Sequence, residues 1–328
     1  MNIHGIVKIF DFNHCIERDG FVFTSVDEPS NIFDAIVIRN PENCNCWCPK
    51  KSFSDHTLEE HIEFVNKHKI EKAFITADDI SFISRCPSLK RLYIVPSNTA
   101  PEQFDYSPLY ELPEIVYMDC ATAYGGAMEP RHTSIDYSKI KGLRKAYIRG
   151  AGHENYEKSE LLEELHIGND NRSSDLSKIS LISSLKSLWL CECSLKSLNG
   201  ISNLNNLQQL SLDYCRSLCD IFELASVAES LRSLSICISP KLKDFSVLSN
   251  LVNLEHLELK GNNELPNLNF LIGMKKLKTF SFTMNVLDGD LSNCMNIPYV
   301  DCAKNRKHYN YKDKELPKQP STSPFVLK

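Results

Sequence analysis

The hydrophobic template L-x-x-L-x-L recurs along this chain at a nearly constant interval, and no other feature restricts its folding as much. Five copies stand in a row: LKSLWL from Leu185, LQQLSL from Leu207, LRSLSI from Leu231, LEHLEL from Leu254 and LKTFSF from Leu277, with starts 22, 24, 23 and 23 residues apart. Weaker versions extend the series as LEELHI from Leu162, LRKAYI from Leu143, LPEIVY from Leu112, LKRLYI from Leu89, IEKAFI from Ile70 and IPYVDC from Ile297, giving eleven candidate strands. A segment with three apolar side chains cannot bury its own face. Stacked neighbours must cover it on both sides.

With these templates the chain resembles the leucine-rich repeat family, nearest the short bacterial, internalin-like class with repeats of 22 to 23 residues. The resemblance implies an α/β solenoid, a horseshoe whose parallel strands line a concave sheet. In SLKSLNGISNLNNL the apolar residues Leu195, Leu198, Ile201, Leu204 and Leu207 fall on every third position, so the convex side is expected to be 3₁₀-helical or extended. CDIFELASVAES reads as a true helix. The resemblance also implies a short polar or thiol side chain three places beyond each template, bonding to backbone of the adjacent turn. Asp78, Ser97, Cys120, Asp170, Cys193, Cys215, Ser239, Asn262, Asn285 and Asn305 stand there, with Ala151 the apolar exception.

A stack of repeats needs its two ends covered. HTLEEHIEFVNKHKI places Thr57 and Glu60 at capping-box spacing and Leu58, Ile62 and Val65 on one helical face, so a capping helix is expected before Ile70. GIVKIFDF, GFVFTSV and FDAIVIR upstream read as short strands. The expected organisation is a β-rich region and cap over 1–69, a solenoid over 70–305 with an insertion near 119–142, and a basic, disordered tail over 306–328. The strand at LPEIVYMDC is ambiguous by one residue, with Val116 and Met118 competing with Ile115 and Tyr117 for the inward positions.

Alternation along a strand decides where the functional residues point. Leu188 and Leu190 face the core, so Trp189 faces out. The same position reads Phe74, Tyr93, Val116, Tyr147, His166 and Trp189, then Ser211, Ser235, Glu258, Ser281 and Asp301: an aromatic half followed by a polar one. Lys72, Arg91, Glu114, Lys145 and Glu164 form a charged border. An aromatic centre with a charged rim is the anatomy of a binding surface, and the candidate partner-binding residues are Phe74, Tyr93, Tyr147, His166, Trp189, Arg91, Lys145 and Glu164. The alternative is that the insertion or the first fifty residues cover the stripe.

The expected function is a non-enzymatic protein–protein interaction module. An inhibitor or immunity-type protein that occludes an enzyme or toxin is the alternative, and an enzyme with an unrecognised site a weaker one. No nucleophile with its base and no phosphate-cradling glycine loop is present, and GGAMEP lacks the lysine such a loop needs. A net charge of −5 and pI near 6.1 argue against general nucleic-acid binding, and no apolar run is long enough for a membrane span. The first twenty residues lack a secretion-signal pattern. With thirteen cysteines, an odd number, the expectation is reduced thiols in a cytoplasmic monomer without cofactor. Cys44, Cys46 and Cys48 in CNCWCP are the metal-ligand candidates, but C-x-C spacing fits a structural zinc poorly and no metal is expected.

Overall fold

The structure, a computed structural model, describes residues 15–25, 33–40, 56–97, 99–120, 134–150 and 152–319. The chain forms two compact units, residues 1–161 and 162–328. Both are built on the same plan: parallel strands whose inward residues fill the interior and whose alternate residues face outward.

In the first unit, β1 (Ile16–Arg18), β2 (Phe21–Thr24) and β3 (Ala35–Asn40) pair antiparallel in sequence. The helix α1 (Leu58–His68) then leads into β4 (Lys72–Ala77), which pairs parallel with β3. Thr57 accepts a hydrogen bond from the Glu60 amide at 3.3 Å, and Glu60 accepts from the Thr57 amide at 2.7 Å. His61, Ile62 and Val65 are its buried face. Next come β5 (Arg91–Pro96), β6 (Tyr117–Cys120), the short β7 (Ile135–Asp136), β8 (Lys145–Arg149) and the short β9 (His153–Glu154). The order β3-β4-β5-β6-β8 is parallel throughout, and β7 pairs with β9 outside it.

The expected template at Leu112 is displaced. Arg91 pairs with Tyr117 and Tyr93 with Asp119, so the repeat starts at Ile115. Ile115, Met118 and Cys120, each at most 1% exposed, supply the inward triplet. Leu112 instead closes the preceding 3₁₀ turn, its amide donating to the Leu109 carbonyl. Asp119 therefore takes the outward place that sequence spacing gave to Val116.

In the second unit, β10 (Glu164–Gly168), β11 (Ser187–Cys191), β12 (Gln209–Asp213), β13 (Ser233–Cys237) and β14 (His256–Lys260) pair in parallel. After β15 (Glu264–Leu265) come β16 (Thr279–Phe282), β17 (Asn285–Val286) and β18 (Tyr299–Cys302). β16 joins β14, β18 joins β16, and β15 pairs with β17. Leu188, Leu210, Leu234, Leu257, Phe280 and Val300 stand in one inward file, none more than 1% exposed. Leu195, Leu198, Ile201, Leu204 and Leu207 are all buried, and the return segments are 3₁₀-helical. The stretch expected to be a true helix is one of them, the 3₁₀ helix Phe222–Val227.

The strands β10 to β13 each leave the sheet through one residue with left-handed backbone: Asn169, Glu192, Tyr214 and Ile238, with φ between 55° and 58°. That conformation turns the amide onto the next strand, where these four donate to the carbonyls of Cys191, Asp213, Cys237 and Lys260 at 2.8–2.9 Å. The following thiols are structural, as expected. Cys193 Sγ lies 3.6 Å from the Ile167 carbonyl and Cys215 Sγ 3.7 Å from that of Leu190. In the next corner but one, Gly261 at φ 146° adds a residue, so Asn263 fills the position expected for Asn262 and donates to the Ser239 and Leu242 carbonyls.

The segment from residue 306 is no disordered tail within the described residues. Tyr309 is buried, accepts a hydrogen bond from the Val286 amide at 3.0 Å and donates to the Met284 carbonyl at 3.3 Å. Asp313–Glu315 form a 3₁₀ turn, Leu316 is buried, and Lys318 bridges to Tyr299. The last repeat needs a cover, and this segment supplies it with two apolar side chains. The strand expected in GIVKIFDF lies outside the described residues.

Leu257→Ala should cost about 2–5 kcal/mol, the range for emptying a buried aliphatic site. Ile238→Asn should do the opposite, adding about 0.5–1 kcal/mol, because an exposed β-branched residue is replaced by one that tolerates left-handed backbone. Urea unfolding of the two variants checks both. A loss below about 0.5 kcal/mol at Leu257 would take it out of the core.

Candidate functional site

On the outer face of the first unit's sheet, the registers place Val37, Phe74, Tyr93, Asp119 and Tyr147 in one file. Phe74 and Tyr93 stack with ring centroids 4.8 Å apart, and Tyr117 and Tyr147 lie 5.8 Å apart. This face is not open. Phe74, Tyr93 and Tyr147 are 2%, 6% and 8% exposed. Val22, Ala35, Val37, Phe74 and Tyr93 form a second apolar cluster, with Cys15 and Val95 against it. The expectation of an exposed aromatic stripe is corrected here: all three rings are buried, Phe74 and Tyr93 in a cluster with apolar residues of β2 and β3.

The border residues Lys72, Arg91 and Lys145 are half-buried, whereas Glu114 is exposed and its place in register is taken by Tyr117. Lys145 Nζ lies 5.5 Å from the Tyr147 ring centroid and 6.0 Å from that of Tyr117, cation–π geometry; Arg91 stands beside Tyr117 in register. Lys72 pairs with Asp34 at 2.8 Å. Asp119 is 1% exposed, and burial pushes its carboxyl up to about 6, although Arg149 at 3.6 Å pulls the other way.

The outer face of the second unit differs in kind. Trp189 stands between His166 and Ser211 in register and is half-buried, as is His166, whose ring meets the indole edge-on at 5.1 Å. Trp189 Nε1 donates to Asp213 Oδ2 at 2.6 Å. Glu164, at the amino end of β10, is also half-buried. Beyond Trp189 the face is polar. Ser235 Oγ donates to Glu258 Oε2 at 2.8 Å, Lys260 pairs with Glu258, and Ser281 Oγ donates to Asp301 Oδ2 at 3.2 Å. Burial raises the Asp213 carboxyl; the Trp189 bond lowers it, and the Glu258 charge adds to the rise.

Residue spacing alone did not reveal Asp119 or Asp213. Asp119 was hidden by the displaced repeat. Asp213 lies in the next outward file, six residues after Leu207, and its signal was an acid two places from an outward serine in register with a tryptophan. Cys44, Cys46 and Cys48 lie outside the described residues. Among the described residues, no group of three or more His, Cys, Asp or Glu side chains could hold a metal ion. No helix among them is long and apolar enough to cross a membrane.

The architecture defines the fold: a leucine-rich repeat solenoid. No protein-family model and no curated protein matches the sequence. Among solved structures, an internalin (InlF) from Listeria monocytogenes is similar at 16% identity and a TM-score of 0.51, over 72% of this chain and 68% of that one. An internalin C2 from the same organism matches at 23% identity and a TM-score of 0.38, over 44% of this chain and 62% of its own. The leucine-rich repeat protein LIC12759 from Leptospira interrogans matches at 17% and 0.42, over 79% and 60%. The chain thus spans 60% to 68% of the lengths of these proteins.

Asp119 yields a pH signature. Its folded-state value of about 6 lies above the ordinary 3.8, so the folded chain binds more protons than the unfolded one in that window. Its contribution is most favourable below about pH 4 and is lost as pH rises toward 6, by up to about 3 kcal/mol. Asp119→Asn should remove that fall, read from chemical unfolding at pH 4, 5 and 6.5. Equal pH slopes in variant and parent would contradict it.

Proposed function

We propose that this protein is a non-enzymatic module that receives a protein partner on the outer face of the second unit's sheet, with Trp189 as anchor. The observation that carries this reading is a half-exposed indole held by a 2.6 Å bond to Asp213 on a surface from which the leucines are turned away. A side chain already fixed loses little rotamer freedom on association, and tryptophan is enriched among the residues that dominate binding energy. His166 extends the apolar patch and Glu164 borders it. Phe74, Tyr93 and Tyr147, with Arg91 and Lys145 beside them, serve the packing of the first unit in this reading.

The thiols support a non-catalytic role. Burial pushes Cys86 and Cys193 up to about 11 and Cys294 up to about 12, so all three stay protonated near neutrality and are poor nucleophiles. In this reading the protein works in a reducing, cytoplasmic setting, where its thiols stay free.

Site-specific photo-cross-linking tests the face. A cross-linker at Ser211, beside Trp189, should trap the partner, while one at Ser202 in the 3₁₀ segment Ile201–Asn203 should not. With the trapped partner purified, Trp189→Ala should weaken binding by about 2 kcal/mol, roughly 30-fold. Trapping from Ser202 alone, with unchanged affinity for Trp189→Ala, would move the contact to the opposite side.

A further inference from the structure

The outer face of the second unit is charged in one sense. Its strands β10 to β14, β16 and β18 carry the carboxylates Glu164, Asp213, Glu258 and Asp301 and one cation, Lys260. Asp213 and Glu258 approach one another through Cys237: Glu258 Oε2 lies 3.5 Å from its Sγ, and Asp213 shares a hydrogen bond with the same thiol. Two carboxylates sharing a neighbour repel, and that repulsion helps push the Asp213 carboxyl up. Lys260 is engaged with Glu258 and its charge also reaches Asp301, while the hydrogen bonds to Asp213 and Asp301 come from hydroxyl, thiol and indole donors. The face therefore has acceptors to offer and little positive charge of its own.

From this complementarity we infer that the partner presents an extended, arginine- or lysine-rich segment, which lies across the strands from Trp189 to Asp301. The inference rests on the docking face proposed above. Adjacent strands stand about 4.8 Å apart, so the five steps from β11 to β18 cover about 24 Å, the reach of seven or eight extended residues. A guanidinium at one end meets the face of the Trp189 indole, whose edge is tied to Asp213. Others along the segment meet Glu258 and Asp301 as charge-assisted pairs. A segment of like length with acidic residues would face the same carboxylates and be repelled.

The test uses the full chain carrying Trp47→Phe, so that Trp189 is the one indole, and three octapeptides alternating serine with arginine, glutamine or glutamate. Emission of Trp189 is followed during titration at low salt and at tenfold higher salt. Saturable binding of the arginine peptide is expected, at least tenfold weaker for the glutamine peptide, absent for the glutamate peptide and reduced by salt. Asp213→Asn, Glu258→Gln and Asp301→Asn together should weaken the arginine peptide at least tenfold, whereas Glu229→Gln, Glu264→Gln and Asp288→Asn, off the face, should not. Lys260→Gln should tighten it, an effect of opposite sign that loss of folding cannot mimic. Equal binding of all three peptides would overturn the charge inference and leave the docking face standing. If no peptide binds, the inference falls, and trapping from Ser211 decides separately whether the docking face survives. Self-association abolished by the triple change, with no peptide response, would assign the face to a second copy and overturn the inference.

Discussion

The structure depends on leucines that no single repeat can shelter. Each strand turns a short inward triplet toward the interior, and each triplet is sealed by the strands before and after it. In the second unit the file from Leu188 to Val300 is solid at every step. Parallel register follows from this arrangement, because a slip by one residue would expose one file of leucines and bury the polar file beside it. The end of such a stack needs a cover, and the Tyr309 segment supplies it in the second unit, whereas α1 connects the parallel strands β3 and β4.

A second constraint is local. Every strand must leave the sheet without stranding its last amide, and the left-handed corner solves this by aiming that amide at the neighbouring strand. Asparagine and glycine suit the position, but Glu192, Tyr214 and Ile238 occupy it as well. The stacking energy of the leucines holds these residues in a conformation that costs them about 1–2 kcal/mol each. Cys193 and Cys215, one residue later, fill the space behind the corner with a small thiol that reaches a carbonyl, which is why burial rather than reactivity defines them.

Much of this was legible in residue spacing. Alternation around Leu188 and Leu190 placed Trp189 outward, and threefold spacing after Leu195 placed the 3₁₀ segments. Thr57 and Glu60 marked the capping box. Where spacing failed, a local event had shifted the phase: a 3₁₀ turn that took Leu112, and an extra corner residue at Gly261 that moved the ladder to Asn263. The aromatic file was placed on the right side of the sheet but given the wrong surroundings. Whether an outward ring is open depends on what lies on that side, and for Phe74 and Tyr93 it is the apolar outer face of β2 and β3. In the C-terminal segment, lost apolar periodicity hid two isolated anchors, Tyr309 and Leu316, each buried by shape rather than by pattern.

Mutual shelter makes stability in the second unit a property of neighbouring strands rather than of single ones. Amide hydrogen exchange of Leu210→Ala tests this most directly, because β12 has its leucine emptied while β11 and β13 keep every residue. Lost protection in β11 and β13 together with β12 is the predicted result. Faster exchange confined to β12, with both neighbours as protected as in the parent, would contradict it.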